Sequence, residues 1–134
     1  MIDIIQKTEL LKLAQDATKK SYAPYSKFKV GAALITDSGE YFQGCNIENA
    51  SYGLTICAER AAICNAIINE GSGKMGIKAI AVVNDRDLPC SPCGSCRQFI
   101  YEFGRHAMVI FKGEKDIEDV SIKDLLPISF ILNP

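Results

Sequence analysis

Cys57-Ala58-Glu59 and Pro92-Cys93-Gly94-Ser95-Cys96 bring three cysteines and a carboxylate into two short runs. Three thiolates can hold one Zn²⁺, and a tetrahedral ion with only three protein ligands keeps a fourth position for water. That is the layout of a catalytic site rather than a structural one. Cys93 and Cys96 stand three apart, so on a helix both sulfurs point the same way and can share an ion at about 2.3 Å each. Glu59, two residues from Cys57, can reach the open position without coordinating. A carboxylate there can take a proton from the water and pass it to a substrate nitrogen. Three thiolates leave the cluster negatively charged, and Arg60 is placed to donate hydrogen bonds to the sulfurs and withdraw charge. The plainer alternatives are an Arg60 in solvent and a Glu59 that only satisfies a helix dipole.

The other three of the six cysteines, Cys45, Cys64 and Cys90, sit in apolar or mixed surroundings. A thiol there behaves as a small hydrophobe, and Cys45 and Cys64 are expected in the core. Cys90 lies near the metal pair, yet a fourth thiolate would close the coordination sphere, so it is read as a non-ligand. The first residues, Met1-Ile2-Asp3-Ile4-Ile5, are followed by Gln6, Lys7 and Glu9 and form no signal-peptide h-region. No stretch approaches a membrane span, and the expected location is the cytoplasm. In that setting a C-x-x-C pair is more often metal-binding or redox-active than bridged.

With 134 residues, 48% of them hydrophobic, the chain can bury one good core, and residues 1–134 are expected to form a single domain. A net charge of -1 and a pI near 5.8 leave no broad basic field for a polyanionic backbone. Nucleic-acid polymers are therefore disfavoured and small molecules favoured as substrates.

The elements that must position these residues follow from periodicity. Ile4 to Lys20 suits an amphipathic helix with Ile4, Leu10, Leu11, Ala14 and Ala17 inward. Phe28–Ile35 and Tyr41–Ile47 read as strands joined by the turn residues Asp37-Ser38-Gly39. Cys57–Glu70 reads as a helix with Ala61, Ala62, Ile63, Ala66 and Ile67 buried, stopped by Gly71-Ser72-Gly73. Ile77–Val83 reads as a central strand, Cys93–Phe103 as a helix and Ala107–Phe111 as a strand reached by a parallel crossover. Glu114, Asp116, Glu118 and Asp119 read as a solvated loop and helix start. A short helix over Ile122–Leu126 and an apolar end, Ile128–Leu132, close the chain. The expected fold is an α/β, three-layer α/β/α sandwich with a mixed sheet of about five strands. All three metal cysteines then fall in first turns of helices, where unpaired N–H groups and the dipole favour thiolate over thiol.

Cys-Ala-Glu followed by Pro-Cys-x-x-Cys resembles the zinc nucleoside and nucleobase deaminases. Further segments narrow the likeness to the small homotetrameric cytidine deaminases. These are Ala23-Pro24-Tyr25-Ser26-x-Phe28-x-Val30-Gly31, Gly44-Cys45-Asn46-Ile47-Glu48-Asn49-Ala50, Cys57-Ala58-Glu59-Arg60, Cys93-Gly94-x-Cys96-Arg97-Gln98 and Leu125-Leu126-Pro127-x-x-Phe130. The resemblance covers nearly the whole chain. It implies a cytidine deaminase-like fold and one Zn²⁺ per subunit held by Cys57, Cys93 and Cys96. It further implies hydrolysis of cytidine and 2′-deoxycytidine to the uridine product and ammonia, with Glu59 as the catalytic proton carrier. It assigns Asn46 and Glu48 to the ribose hydroxyls, the backbone N–H of Ala58 to the pyrimidine 2-oxo group, and Phe28 to a place beside the nucleoside. Phe130 would enter a neighbouring subunit's pocket, and Tyr25 and Tyr52 would stand near pocket and subunit contacts. By pattern alone Phe28 would also fit a core position.

Other readings share some of these residues. A blasticidin-type deaminase has the same metal pattern, but Asn46-Ile47-Glu48-Asn49 favours a nucleoside. A non-catalytic zinc module wants four protein ligands. A redox C-x-x-C protein has no use for Glu59, and a polynucleotide deaminase needs a basic, aromatic surface. His106, the only histidine, is far from both motifs and reads as a surface or structural residue.

Overall fold

The computed structural model describes all 134 residues. Helix α1 spans Ile4–Thr18 and starts in a capping box: the Asp3 carboxylate accepts from the Gln6 N–H at 2.8 Å and the Gln6 side chain accepts from the Asp3 N–H at 3.1 Å. The strands are β1 (Val30–Thr36), β2 (Tyr41–Cys45), β3 (Ile77–Asn84), β4 (Met108–Lys112) and β5 (Ile117–Ser121). Helices α2 (Ala58–Glu70), α3 (Gly94–Phe103) and the short α4 (Ile122–Leu125) complete the regular structure.

The strands form one sheet in the order β2-β1-β3-β4-β5, with only the β3–β4 pair parallel. Alternation along β3 explains the layering. Ile80 and Val82 pack with Ala62, Ile63 and Ala66 of α2 and Ile100 of α3, while Ala79, Ala81 and Val83 pack with Leu10 and Ala14 of α1. The sheet is thus covered on both faces, and the α/β three-layer architecture follows. The glycine of β2 sets the distance to α2: a Cβ on Gly44 would lie 2.2 Å from the Ala62 nitrogen and 2.5 Å from the Ala58 carbonyl oxygen. Only a residue without a side chain lets the start of α2 settle this close to the sheet.

Several expectations change. The acidic stretch read as a loop and helix start contains β5, an edge strand paired antiparallel with β4. Charged side chains are what an outer strand carries, because they blunt its unpaired edge, so strand periodicity is masked there. Asp119 forms an ion pair with Lys7 of α1 at 2.7 Å. Ile4 is exposed rather than inward, and Cys64, expected in the core, is exposed on α2. Cys45 is half-buried, as are Ala61 and Ile67. β1 begins at Val30, so Phe28 precedes the strand. The apolar end over 128–132 forms no strand. His106 is exposed, as expected. No helix is long and apolar enough to cross a membrane.

Candidate active site

Helices α2 and α3 both point their N-termini at one place. Cys57 and Cys93 are the N-cap residues of these helices, one position outside the expected first turns, and Cys96 lies in the first turn of α3. Neither capping cysteine spends its sulfur on a cap hydrogen bond. The three Sγ atoms lie within 4.8 Å of one another. Sulfurs bound tetrahedrally to Zn²⁺ at 2.3 Å are about 3.8 Å apart, so small side-chain movements close the set around one ion. Cys57 and Cys96 share a proton unequally. The Cys57 thiol is drawn down to about 5, first by its hydrogen bond with Cys96 and then by Arg60, against the opposing effect of burial. The Cys96 thiol is pushed up by the same hydrogen bond and by its burial.

Arg60 Nη2 lies 3.4 Å from Cys57 Sγ and 3.4 Å from the Thr55 carbonyl oxygen. Its Nε is buried without a partner. A guanidinium with a donor to spare beside clustered thiolates is what a negatively charged metal shell needs, so the donor set and its surroundings fit Zn²⁺. Cys90 stays outside the trio, donating to the Val82 carbonyl at 3.6 Å. Burial chiefly pushes its thiol up, away from the thiolate a metal ligand must be.

A cavity of roughly 340 Å³ reaches Cys57 and Cys93 of the trio, and its lining includes the apolar Phe28, Val30 and Val82 and the polar Asn46 and Glu59. Ala58, first residue of α2, also lines it, and its N–H has no acceptor within the helix. Glu59 is 5% exposed. Burial holds its carboxyl above the usual carboxylate range, opposed by its own backbone N–H and supported by the nearby Cys57 charge.

A second cleft, about 290 Å³, adjoins the first through Thr55 and is lined by Tyr25, Ser26, Glu48 and Tyr52. The rings of Tyr25 and Tyr52 meet edge to face with centroids 5.9 Å apart. Asn46 and Glu48 do more than their types alone indicate. Asn46 Oδ1 accepts from the Val30 N–H at 2.9 Å and from the Ser21 hydroxyl, and its Nδ2 donates to the Phe28 carbonyl at 2.8 Å. One amide N–H remains for a ligand. Glu48 accepts from the N–H groups of Tyr25 (2.9 Å) and Ser26 (3.1 Å) and from the Ser26 hydroxyl, chiefly the last of which holds its carboxyl below the usual range. One carboxylate lone pair remains.

Phe130 is not part of its own chain's cavity. It is exposed on the tail, where Gln98 grips its backbone twice, Nε2 to carbonyl at 2.9 Å and Oε1 from N–H at 3.0 Å. Arg97 donates to the carbonyls of Pro92 (2.8 Å) and Leu125 (2.9 Å), tying the metal loop to the end of α4. Thr55, shared by the two clefts, is a site feature that the sequence reading did not single out, its only signal being nearness to Cys57. Arg97 and Gln98 were quoted as part of the family-like segment, but their clamp on the tail was not foreseen.

Two helix starts presenting three cysteine sulfurs, with a buried carboxyl beside them in a cavity of ligand size, fit a zinc site of the hydrolytic kind. Comparison with known proteins specifies it further. The cytidine and deoxycytidylate deaminase zinc-binding region matches residues 4–112. The cytidine deaminase of Sporosarcina psychrophila is 44% identical over 126 residues, covering 91% of this chain and 89% of that protein. The crystal structure of cytidine deaminase from Burkholderia pseudomallei superposes with a TM-score of 0.82 at 46% identity, covering 92% of this chain and 98% of that one. That of Mycobacterium tuberculosis gives 0.84 at 36% identity, covering 98% and 100%. The chain belongs to the cytidine and deoxycytidylate deaminase family.

Proposed function

We propose that the protein deaminates cytidine and 2′-deoxycytidine by hydrolysis, giving the corresponding uridine and ammonia. The observation that carries this reading is Glu59, buried in the nucleoside-sized cavity beside the Cys57–Cys93–Cys96 trio. When bound by those thiolates, Zn²⁺ supplies a water that ionises near neutral pH. Glu59, facing the cavity, would accept a proton from the attacking water and pass it to N3 of the pyrimidine as the C4–O bond forms. It would then carry the proton of the new C4 hydroxyl to the exocyclic amine, so that the C4–N bond breaks, ammonia leaves and the C4 carbonyl forms. Arg60 balances the charge of the sulfurs, and the Ala58 N–H receives the 2-oxo group. The remaining N–H of Asn46 and lone pair of Glu48 match the acceptor and donor sides of ribose hydroxyls, and Phe28 and Tyr52 border the base and sugar spaces.

The whole chain acts as one domain in this proposal, supported by the entry of every strand into one sheet. Its working form is a homotetramer with shared pockets: Phe130 cannot serve its own cavity, and Tyr52, Leu54, Ile128 and Leu132 present apolar surface outward. Unpaired thiols suit the reducing cytoplasm. The direct test follows cytidine absorbance with and without a zinc chelator. Activity lost on chelation and restored by Zn²⁺ is expected, and a chelator-insensitive reaction would overturn the assignment.

A further inference from the structure

Phe28 forms an aromatic wall of the cavity, yet it lies before β1 on a loop that no ladder or helix holds. Its neighbour Lys27 has φ of 59°, in the left-handed region that non-glycine residues rarely adopt. A loop in that conformation persists only where its surroundings hold it. Glu48 grips one side, and the Ser26 hydroxyl that bonds to Glu48 also accepts the Phe28 N–H at 3.0 Å. The other side is gripped by Arg86, in the turn after β3. Its Nη2 donates to the Lys27 carbonyl at 3.0 Å, and its guanidinium carbon stands 5.5 Å from the Phe28 ring centroid. Arg86 does not line the cavity, so it bears on the ring from outside the space a ligand would fill.

The turn carrying Arg86 is itself braced. Asn84, buried at the end of β3, accepts the N–H groups of Arg86 (3.0 Å) and Leu88 (3.1 Å) and donates to the Leu88 carbonyl at 2.8 Å. Asp85 and Lys29 exchange further bonds, Asp85 N–H to the Lys29 carbonyl at 3.0 Å and Lys29 N–H to Asp85 Oδ1 at 3.2 Å. A rigid turn thus carries a planar cation against one aromatic ring and one strained peptide, the geometry in which guanidinium–ring attraction adds to a hydrogen bond.

We infer that Arg86 is a positioning residue for the substrate: it fixes Phe28 as the cavity wall and thereby sets nucleoside affinity, without taking part in proton transfer. This rests on the reading that the nucleoside occupies this cavity. In Arg86→Ala the KM for cytidine rises about fivefold, the size that one exposed cation–ring contact supplies, with kcat within about twofold of the parent. Arg86→Lys keeps charge but not the planar fork and falls between. In a Phe28→Ala background the Arg86→Ala change loses most of its effect on KM, which a merely structural arginine would not do. An unchanged KM in Arg86→Ala, or an equal effect with and without the Phe28 ring, overturns the inference. Hydrogen exchange read without substrate separates it from the functional reading. Amides of residues 26–28 exchange faster in Arg86→Ala, and unaltered protection there overturns the inference even if the parent fails to deaminate cytidine.

Discussion

Glu59 combines two properties that rarely coincide, near-complete burial and a lining position in a ligand-sized cavity. Glu59→Ala should keep fold and zinc yet lower kcat by about 10³-fold or more, since proton transfer by a placed side chain is worth that much. Elemental analysis with steady-state kinetics checks it, and near-normal turnover would remove Glu59 from its role. Cys57→Ala, Cys93→Ala or Cys96→Ala should each weaken metal retention, read as faster zinc transfer to a chelator. A variant holding zinc as firmly as the parent would drop that residue from the ligand set. Glu48 provides the pH dependence. Its carboxyl is depressed in the folded state, so its contribution to stability is full above the ordinary carboxylate value and is lost as pH falls through the folded value. Glu48→Gln should therefore flatten part of the fall in Tm as the pH drops below the ordinary carboxylate value of 4.5. An acid limb identical to the parent's would contradict this. These residues were legible because their chemistry is unusual for their types. The structural work of Asn46 and Glu48 was not, because apart from the Ser21 and Ser26 hydroxyls their partners, on Val30, Phe28, Tyr25 and Ser26, are backbone groups that any residue type could supply.

Among the elements, β3 and helices α2 and α3 were readable because β3 is a nearly continuous apolar run and both helices begin at cysteine motifs. β5 was not, because an edge strand needs charge where a buried one needs hydrocarbon. The approach of α2 to β2 depends on Gly44. Gly44→Ala would force a methyl against the Ala62 nitrogen, and a loss of about 1–3 kcal/mol, or roughly 5–10 °C in Tm, is expected in thermal melts. An unchanged Tm would show that the helix can shift at no cost. Arg97 joins the loop before α3 to α4 through two carbonyls, so α3 both carries Cys96 and anchors the tail.

Across the whole molecule, two layers of helices bury both faces of a sheet whose β3–β4 pair alone is parallel. That arrangement brings Cys57 to Cys93 and Cys96 although some 36 residues separate the two motifs. The tail leaves Phe130 outside its own cavity, its backbone held by Gln98. If neighbouring subunits complete each other's pockets, sedimentation should give a tetramer. Phe130→Ala should then raise KM while leaving zinc content unchanged. A monomer with full activity would refute the shared pocket.

By itself the sequence pointed to the chemistry, three cysteines and an adjacent acid through residue type and spacing and a ribose-binding segment through family resemblance. It also determined most of the layer order, because buried and amphipathic elements carry their own periods. Only the tertiary structure decided which backbone groups Asn46, Glu48 and Arg97 hold, that an acidic stretch closes the sheet, and that Arg86 backs Phe28. Those contacts join segments distant along the chain through carbonyls, N–H groups and ring faces, and such groups leave no mark on residue identity until packing brings them together.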